Sequence, residues 1–103
     1  MTGPAGWQNP ITARPGQVQQ GVDPLRLLPA RRDLQRVRLD AQRVLLLGGT
    51  PRNTPITVTL GGVIWDGHHA VRAAAEEGRL VNVLIVALPA TPVAASILNL
   101  PVR

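Results

Sequence analysis

The sequence predicts an α+β domain with a small mixed β-sheet, a β-hairpin and packed helices. Residues 56–60 alternate apolar and threonine side chains, which is the period of a half-buried strand. Gly61 and Gly62 then allow a two-residue turn into the apolar residues 63–65. An alanine-rich helical segment follows, and residues 80–88 are apolar and β-branched, as in a buried strand. The expected nucleus is therefore strand, turn, strand, helix, strand.

The helix after the hairpin has a predicted start and end. Asp66 is expected to cap its first turn, because a carboxylate accepts a backbone N–H that otherwise lacks a partner. Val71, Ala74 and Ala75 lie on one narrow face that we expect to pack on the hairpin. Gly78 is placed to end the helix in the left-handed conformation.

The turn Asp66-Gly67-His68-His69 is the best candidate for a functional site. Backbone N–H groups at a helix start attract anions, Gly67 permits close approach of a phosphate, and histidine exchanges protons near neutral pH. Arg72 lies one turn after His68, so these two should share a rim, whereas His69 should point away from the core. Asp66 either orients an imidazole or only caps the helix. The histidines are either catalytic or a helix-cap pair without chemistry.

A basic helix is expected before the hairpin, over residues 30–47, as one long helix or two shorter ones. Its apolar positions at helical spacing are Leu34, Val37, Ala41, Val44 and Leu45. Five arginines lie on or near it, namely Arg31, Arg32, Arg36, Arg38 and Arg43. Arginine forks match phosphate oxygens, so these side chains form a candidate nucleic-acid-binding surface. The alternative is a solvated helix face.

Composition narrows the possible functions. The net charge is +5, and all of the excess lies in residues 1–52, which hold eight arginines against three acidic residues. Cysteine is absent, which excludes a disulfide framework and thiol chemistry. The sequence has no second cluster of histidines or spaced carboxylates to complete a metal site, so no metal ligands are predicted.

The domain organisation is predicted to be a Pro/Gly-rich linker or arm over residues 1–21, with little regular structure, followed by one domain over residues 22–103. Trp7 is expected to dock on that domain. Residues 22–29 should be extended, and residues 93–98 should form a last short helix. Prolines interrupt the most apolar window, residues 80–100, and residues 1–20 lack the features of a signal peptide, so a soluble domain is expected.

This arrangement resembles the ParB/sulfiredoxin-like domain superfamily over roughly residues 22–88. Its specific part is Trp65-Asp66-Gly67-His68-His69 followed by Ala73-Ala74-Ala75-x-x-Gly78. The resemblance implies a ParB/sulfiredoxin-like fold, in which the turn and helix start carry phosphate-binding or catalytic groups. It also implies a pocket-lining role for Arg52, Asn53 and Thr54. The superfamily includes nucleotide-binding partition proteins, a sulfinic-acid reductase and nuclease-like domains of secreted toxins.

The chain departs from the superfamily pattern at a few points. Members commonly have arginine where this chain has Ala70, and the nearest arginine is Arg72. The reductase chemistry uses a cysteine in the turn, which is missing here. Only about fifteen residues follow the similar region, which is too few for the helix-turn-helix module of a partition protein. Neither sulfinic-acid reduction nor DNA segregation as a complete function is therefore expected.

Two classes of function follow. The first is a phosphodiester- or nucleotide-directed hydrolase, most concretely a nuclease-like toxin domain: His68 or His69 transfers a proton, Arg72 steadies the phosphate and the basic helix holds the polymer. The second is a nucleotide-binding or regulatory interaction module that grips phosphate without cleaving it.

A metal-dependent ββα-type nuclease is a third alternative, for which Mg²⁺ is the cofactor to test. The expected partner is nucleic acid or a nucleotide, with a cognate inhibitor protein if the domain is a toxin. The expected site of action is the cytoplasm, reached as part of a larger secreted protein. The sequence leaves DNA, RNA and free nucleotide open as ligands.

Overall fold

The computed structural model of the protein describes residues 7–48 and 56–103. Its elements are β1 (Val18–Val22), α1 (Arg36–Leu47), β2 (Ile56–Thr59), β3 (Ile64–Asp66), α2 (His68–Glu76) and β4 (Val81–Val86), with short 3-10 helices at Pro24–Arg26 and Ile97–Asn99. Two helices pack with one four-stranded sheet, which confirms the predicted α+β class.

The sheet has the strand order β1-β4-β2-β3. β2 and β4 are parallel, whereas β1 and β3 run antiparallel to their neighbours, so the sheet is mixed as predicted. Parallel neighbours need a crossover connection, and the chain makes it through β3 and α2. Val81, Val83 and Ile85 alternate into the core from β4. The sheet therefore places the start of α2 directly after the edge strand β3.

The hairpin between β2 and β3 has a three-residue loop instead of the predicted two-residue turn. The Thr59 N–H donates to the Val63 carbonyl at 2.9 Å, and the Gly62 N–H donates to the Thr59 carbonyl at 3.0 Å. Gly62 has a φ of 79°, the left-handed conformation that follows the turn in hairpins of this length. The two glycines predicted the hairpin correctly but not the loop length.

Regular structure begins earlier in the chain than expected. β1 starts at Val18, so residues 18–21 correct the expectation that the segment before residue 22 lacks regular structure. The Gln19 side chain also fixes the preceding backbone: its Oε1 accepts the N–H groups of Thr12 and Ala13 at 2.8 and 3.0 Å. Its Nε2 donates to the Pro10 carbonyl at 2.8 Å.

Trp7 docks on the domain, as expected. Its indole Nε1 donates to the Arg26 carbonyl at 2.7 Å. Its ring covers Gly62 so closely that a Cβ added there would lie 3.0 Å from the ring. Gly62 is therefore required twice: it adopts the positive φ of the hairpin loop, and it leaves room for the ring of Trp7.

α1 is shorter than predicted because the chain before it forms a tertiary bridge. Leu34 donates its N–H to the Pro101 carbonyl at 2.9 Å and accepts the Arg103 N–H at 2.8 Å, which makes a parallel bridge with Val102. These bonds hold the backbone of Leu34 extended, so the helix begins only at Arg36. The predicted helical stretch over residues 30–35 is therefore wrong.

The buried face of α1 also differs from the predicted one. Val37 and Val44 are 83% and 68% exposed, whereas Leu39 is fully buried. Leu39 and Val37 lie about 200° apart around the helix, so both cannot face the core. Because Leu34 leaves the helix for its bridge, the apolar spacing that starts from Leu34 does not describe the face that packs on α2.

α2 follows the prediction more closely. Val71, Ala74 and Ala75 are buried in one core with hairpin side chains. Gly78 ends the helix with a φ of 64°, and the next N–H bonds back to the Ala74 carbonyl at 2.9 Å.

Near the chain end, the 3-10 helix Ile97–Asn99 replaces the helix expected over residues 93–98. The Ser96 side chain accepts the Leu98 N–H at 3.2 Å and caps this single turn. Within residues 7–48 and 56–103, neither helix is long and apolar enough to cross a membrane.

Candidate functional site

The start of α2 is built on Gly67, not on an aspartate cap. Gly67 is the N-cap residue with a φ of 99°, and the first turn has no side-chain cap. A Cβ at this position would lie 3.2 Å from the Ile56 side chain and 3.3 Å from its backbone. The predicted capping role of Asp66 is therefore wrong, because Asp66 still belongs to β3 and Gly67 takes the N-cap position.

His68 is buried and holds the segment before α1. Its Nε2 accepts the Ala30 N–H at 3.0 Å. The ring proton of the neutral imidazole then lies on Nδ1, because Nε2 supplies the lone pair. The sequence predicts that His68 shares a rim of the helix with Arg72. In the structure, its hydrogen-bond partner is instead the backbone amide of Ala30, 38 residues away in the chain.

His69 accepts a second backbone hydrogen bond, at the other end of residues 30–35. Its Nε2 accepts the Gln35 N–H at 3.0 Å, immediately before α1 begins. His69 is buried, which corrects the expectation that it points away from the core. Adjacent helix residues do point in different directions, but the segment of residues 30–35 wraps far enough around α2 to meet both.

The environment keeps both histidines neutral. The pKa of His68 is lowered from 6.5 to about 4, chiefly by burial and then by the positive charges of Arg31 and His69, with Asp66 acting in the opposite direction. Burial, Arg31 and Arg38 lower the pKa of His69 as well. A protonated ring would also lose its hydrogen bond, since its Nε2 could no longer accept an N–H. At neutral pH the pair is an uncharged anchor for the backbone of residues 30–35.

The Arg72 side chain is held by hydrogen bonds within the protein. Its Nη1 donates to the carbonyls of Ile97 and Leu100, both at 3.2 Å, with Leu98 at 3.5 Å. Its Nε donates to the Glu76 carboxylate at 3.0 Å, and the side chain is only 15% exposed. Instead of facing the turn with His68, Arg72 holds the 3-10 helix near the chain end.

The predicted basic surface divides into paired and unpaired arginines. Arg43 is paired: its Nε and Nη2 donate to Glu76 at 2.8 and 2.6 Å, and its Nη1 donates to Asp40 at 2.8 Å. The bonds from Arg43 and Arg72 lower the pKa of the Glu76 carboxyl. Four others form no salt bridge among the described residues, namely Arg31, Arg32, Arg36 and Arg38.

Two of these unpaired arginines meet the start of α2. Arg31 and Arg38 line a pocket of about 250 Å³ together with Asp66, Gly67 and the histidine pair. Ala41, Gln42 and Ala70 complete its wall. Arg32 instead lines a separate cleft near the chain end with Val93, Asn99 and Pro101, among others, and Arg36 is exposed on α1. The five arginines therefore do not form one continuous site.

The remaining predicted residues are Arg52, Asn53 and Thr54, which lie outside the described residues. Sequence reasoning missed the role of the Ala30 and Gln35 amides, which hold the histidines. No local signal identifies them, because a backbone N–H carries no residue-specific pattern. Within the part of the chain that the structure describes, no group of three or more His, Cys, Asp or Glu residues could hold a metal ion.

Comparisons with protein-family models, with curated proteins and with solved structures found no match to this chain. The ParB/sulfiredoxin-like resemblance therefore stays a prediction. We therefore infer function from the geometry of the pocket, which we call the α2 pocket and define by Arg31, Arg38, Asp66 and the residues Gly67 to His69.

Proposed function

We propose that the protein is a phosphate-directed binding module that takes nucleotide or nucleic-acid phosphates in the α2 pocket without cleaving them. One observation carries this proposal: Arg31 and Arg38, which have no acidic partner in the described residues, line the same pocket as the first residues of a helix. Helix N-termini and guanidinium groups both favour anions, and together they reinforce each other.

The histidine pair supports binding by fixing the position of Arg31. Residues 30–35 are held at Ala30 by His68 and at Gln35 by His69. Arg31 follows the first of these anchored amides directly, so its backbone is restrained before any ligand arrives. A preorganised cation loses less conformational entropy on binding than a mobile one. Asp66 is the one acidic residue in the wall, and two arginines outweigh its charge.

The test is a titration of a fluorescent single-stranded oligonucleotide and of nucleoside triphosphates, read by fluorescence polarisation. Arg31→Gln and Arg38→Gln should each weaken binding about tenfold, the size of one charge-assisted contact. The logarithm of the oligonucleotide binding constant falls linearly with the logarithm of the salt concentration, and each change should make this slope shallower by about one. Arg36→Gln is the matched control, because it removes the same charge from α1 but does not line the pocket. Equal effects of all three changes would refute the assignment of the pocket.

A nuclease-like hydrolase, with the toxin context that the sequence predicts, is the second candidate. One observation favours it: both imidazoles line the same pocket as Arg31 and Arg38. Proton transfer by Nε2 would require the bond to Ala30 or Gln35 to open first.

His68→Gln and His69→Gln test this candidate, because a glutamine amide oxygen still accepts the backbone N–H but transfers no proton. Plasmid DNA and total RNA are incubated with each variant, with and without EDTA. Cleavage that is lost in a folded glutamine variant would establish catalysis. Cleavage that both variants retain would exclude these histidines as catalytic groups, and loss on addition of EDTA would show that a metal such as Mg²⁺ is needed.

A further inference from the structure

A second cavity lies between α1 and α2, and the proposed phosphate binding does not use it. It measures about 260 Å³ and is partly open to solvent. Leu45 and Leu46 of α1 form one wall, and three alanines of α2, Ala70, Ala73 and Ala74, form the opposite wall. Ile56, Val81 and Leu80 complete the apolar lining, and Gln42 and Arg79 are its polar members. We call this space the interhelical cleft.

The cleft exists because small side chains face large ones that do not reach them. Alanine ends at Cβ, so the wall that α2 contributes is shallow, and Leu45 and Leu46 remain half-buried. The two helices are nevertheless tied together on either side of this space. Arg43 of α1 binds Glu76 of α2, and Arg79 donates to the Leu46 carbonyl at 3.2 Å. The apolar walls therefore keep their spacing without a side chain between them.

Arg79 supplies a positive charge at the edge of the apolar lining. Its Nη1 makes the bond to the Leu46 carbonyl. Among the described residues, its Nε and Nη2 make no hydrogen bond and the side chain forms no salt bridge. These two nitrogens point the same way in the planar guanidinium group and match the two oxygens of a carboxylate.

We propose that the interhelical cleft binds a short linear carboxylate, with its hydrocarbon chain between the α1 leucines and the α2 alanines and its head group paired with Arg79. The volume sets the length of the chain: at roughly 30 Å³ for a water-sized group, 260 Å³ holds about eight or nine non-hydrogen atoms. This is enough for the hydrocarbon chain of octanoate, with its carboxylate at the edge of the cleft beside Arg79. Burial of apolar surface stabilises the chain and the guanidinium group selects the charge.

Octanoate is the probe, and amide chemical shifts in ¹H–¹⁵N NMR spectra locate its binding. We expect saturable shifts at Ala73, Ala74 and Leu46, and no comparable shifts in β1. 1-Octanol, which has the same chain without the charge, should bind about tenfold more weakly. Arg79→Gln should reduce octanoate binding to the level of 1-octanol without changing 1-octanol binding. Arg36→Gln is the charge-matched control and should leave both affinities unchanged.

A variant that fills the cleft gives a second test. Ala73→Leu adds three carbons to the wall and should abolish saturable octanoate shifts while the spectrum of β1 stays native. If Ala73→Leu does not fold, Arg79→Gln decides: its side chain is exposed, the Arg43–Glu76 bonds still join the two helices, and unchanged 1-octanol binding shows that the cleft keeps its shape. Non-saturable shifts spread over the whole surface, or equal binding of octanoate to wild type and Arg79→Gln, would overturn the proposal.

Discussion

The buried histidine pair makes the stability of the fold depend on pH, and His68 gives the sharpest prediction. Its pKa is about 4 in the folded protein and near 6.5 in the unfolded chain. The unfolded chain therefore takes up the proton first as the pH falls. Stability is unaffected by His68 above about pH 6.5, decreases between pH 6.5 and 4, and levels off below. At pH 4, this difference between the two pKa values lowers the free energy of unfolding by about 3 kcal/mol relative to its value above pH 6.5.

The assay is urea denaturation at pH 7, 5.5 and 4.5, in the wild type and in His68→Gln. Glutamine keeps an acceptor for the Ala30 N–H but does not titrate in this range. We therefore expect the wild type to lose most of this free energy between pH 7 and 4.5, and the variant to lose about 2.5 kcal/mol less by pH 4.5. Loss of the Glu76 ion pairs begins only near and below its ordinary pKa of 4.5 and affects both proteins equally.

Parallel stability curves for the wild type and His68→Gln between pH 6.5 and 4.5 would refute this account of the histidine. Such a result would mean that the imidazole is accessible enough to be protonated in the folded state. The double variant with His69→Gln extends the test, because the pKa of His69 is lowered by the same cause and in the same direction. It should flatten the curve further below pH 6.5.

Three further predictions concern stability and are measured by urea denaturation at pH 7. Arg72→Ala should cost about 2 kcal/mol or more, because it leaves part-buried carbonyls unpaired; a cost below 0.5 kcal/mol would contradict its structural role. Gly67→Ala should cost more than Gly16→Ala, since both have positive φ but only Gly67 lacks room for a Cβ; equal costs would contradict this. Leu39→Ala should cost about 2–5 kcal/mol and Val44→Ala under about 0.5 kcal/mol, and the reverse order would restore the helix face that the sequence predicts.

The candidate site shows where reading of local patterns fails. The sequence predicts a helix start at the turn from Asp66 to His69, and α2 does begin there, with these four residues lining one pocket. The partners of those side chains were not predictable, because the Ala30 and Gln35 amides lie 38 and 34 residues away in the chain. The same holds for Arg72, whose spacing from His68 suggested a shared rim although its guanidinium group binds carbonyls near the chain end.

The basic helix gives a second example. Charge and spacing placed five arginines near one helix, but only the structure separates Arg43, which is neutralised by acidic partners, from Arg31 and Arg38, which line the α2 pocket. The difference arises from Glu76, which belongs to the other helix. Charge counts along the chain cannot reveal such pairing, since it depends on which faces of α1 and α2 meet.

Residues that are close together in the chain are enough to predict the elements whose cause is local. The strand β2, the glycines of the hairpin, the alanine face of α2 and the left-handed Gly78 each follow from neighbours within a few residues, and each is present in the structure. The predicted alternation holds only in part, because Thr59 is buried and Leu60 lies exposed after the end of β2. Tertiary structure alone decided the strand order, the late start of α1 and its buried face. It also decided the neutral, bonded state of the histidines. These features depend on contacts between distant segments. Many of those contacts are made by backbone amides and carbonyls, which every residue type carries and which therefore leave no pattern in the sequence.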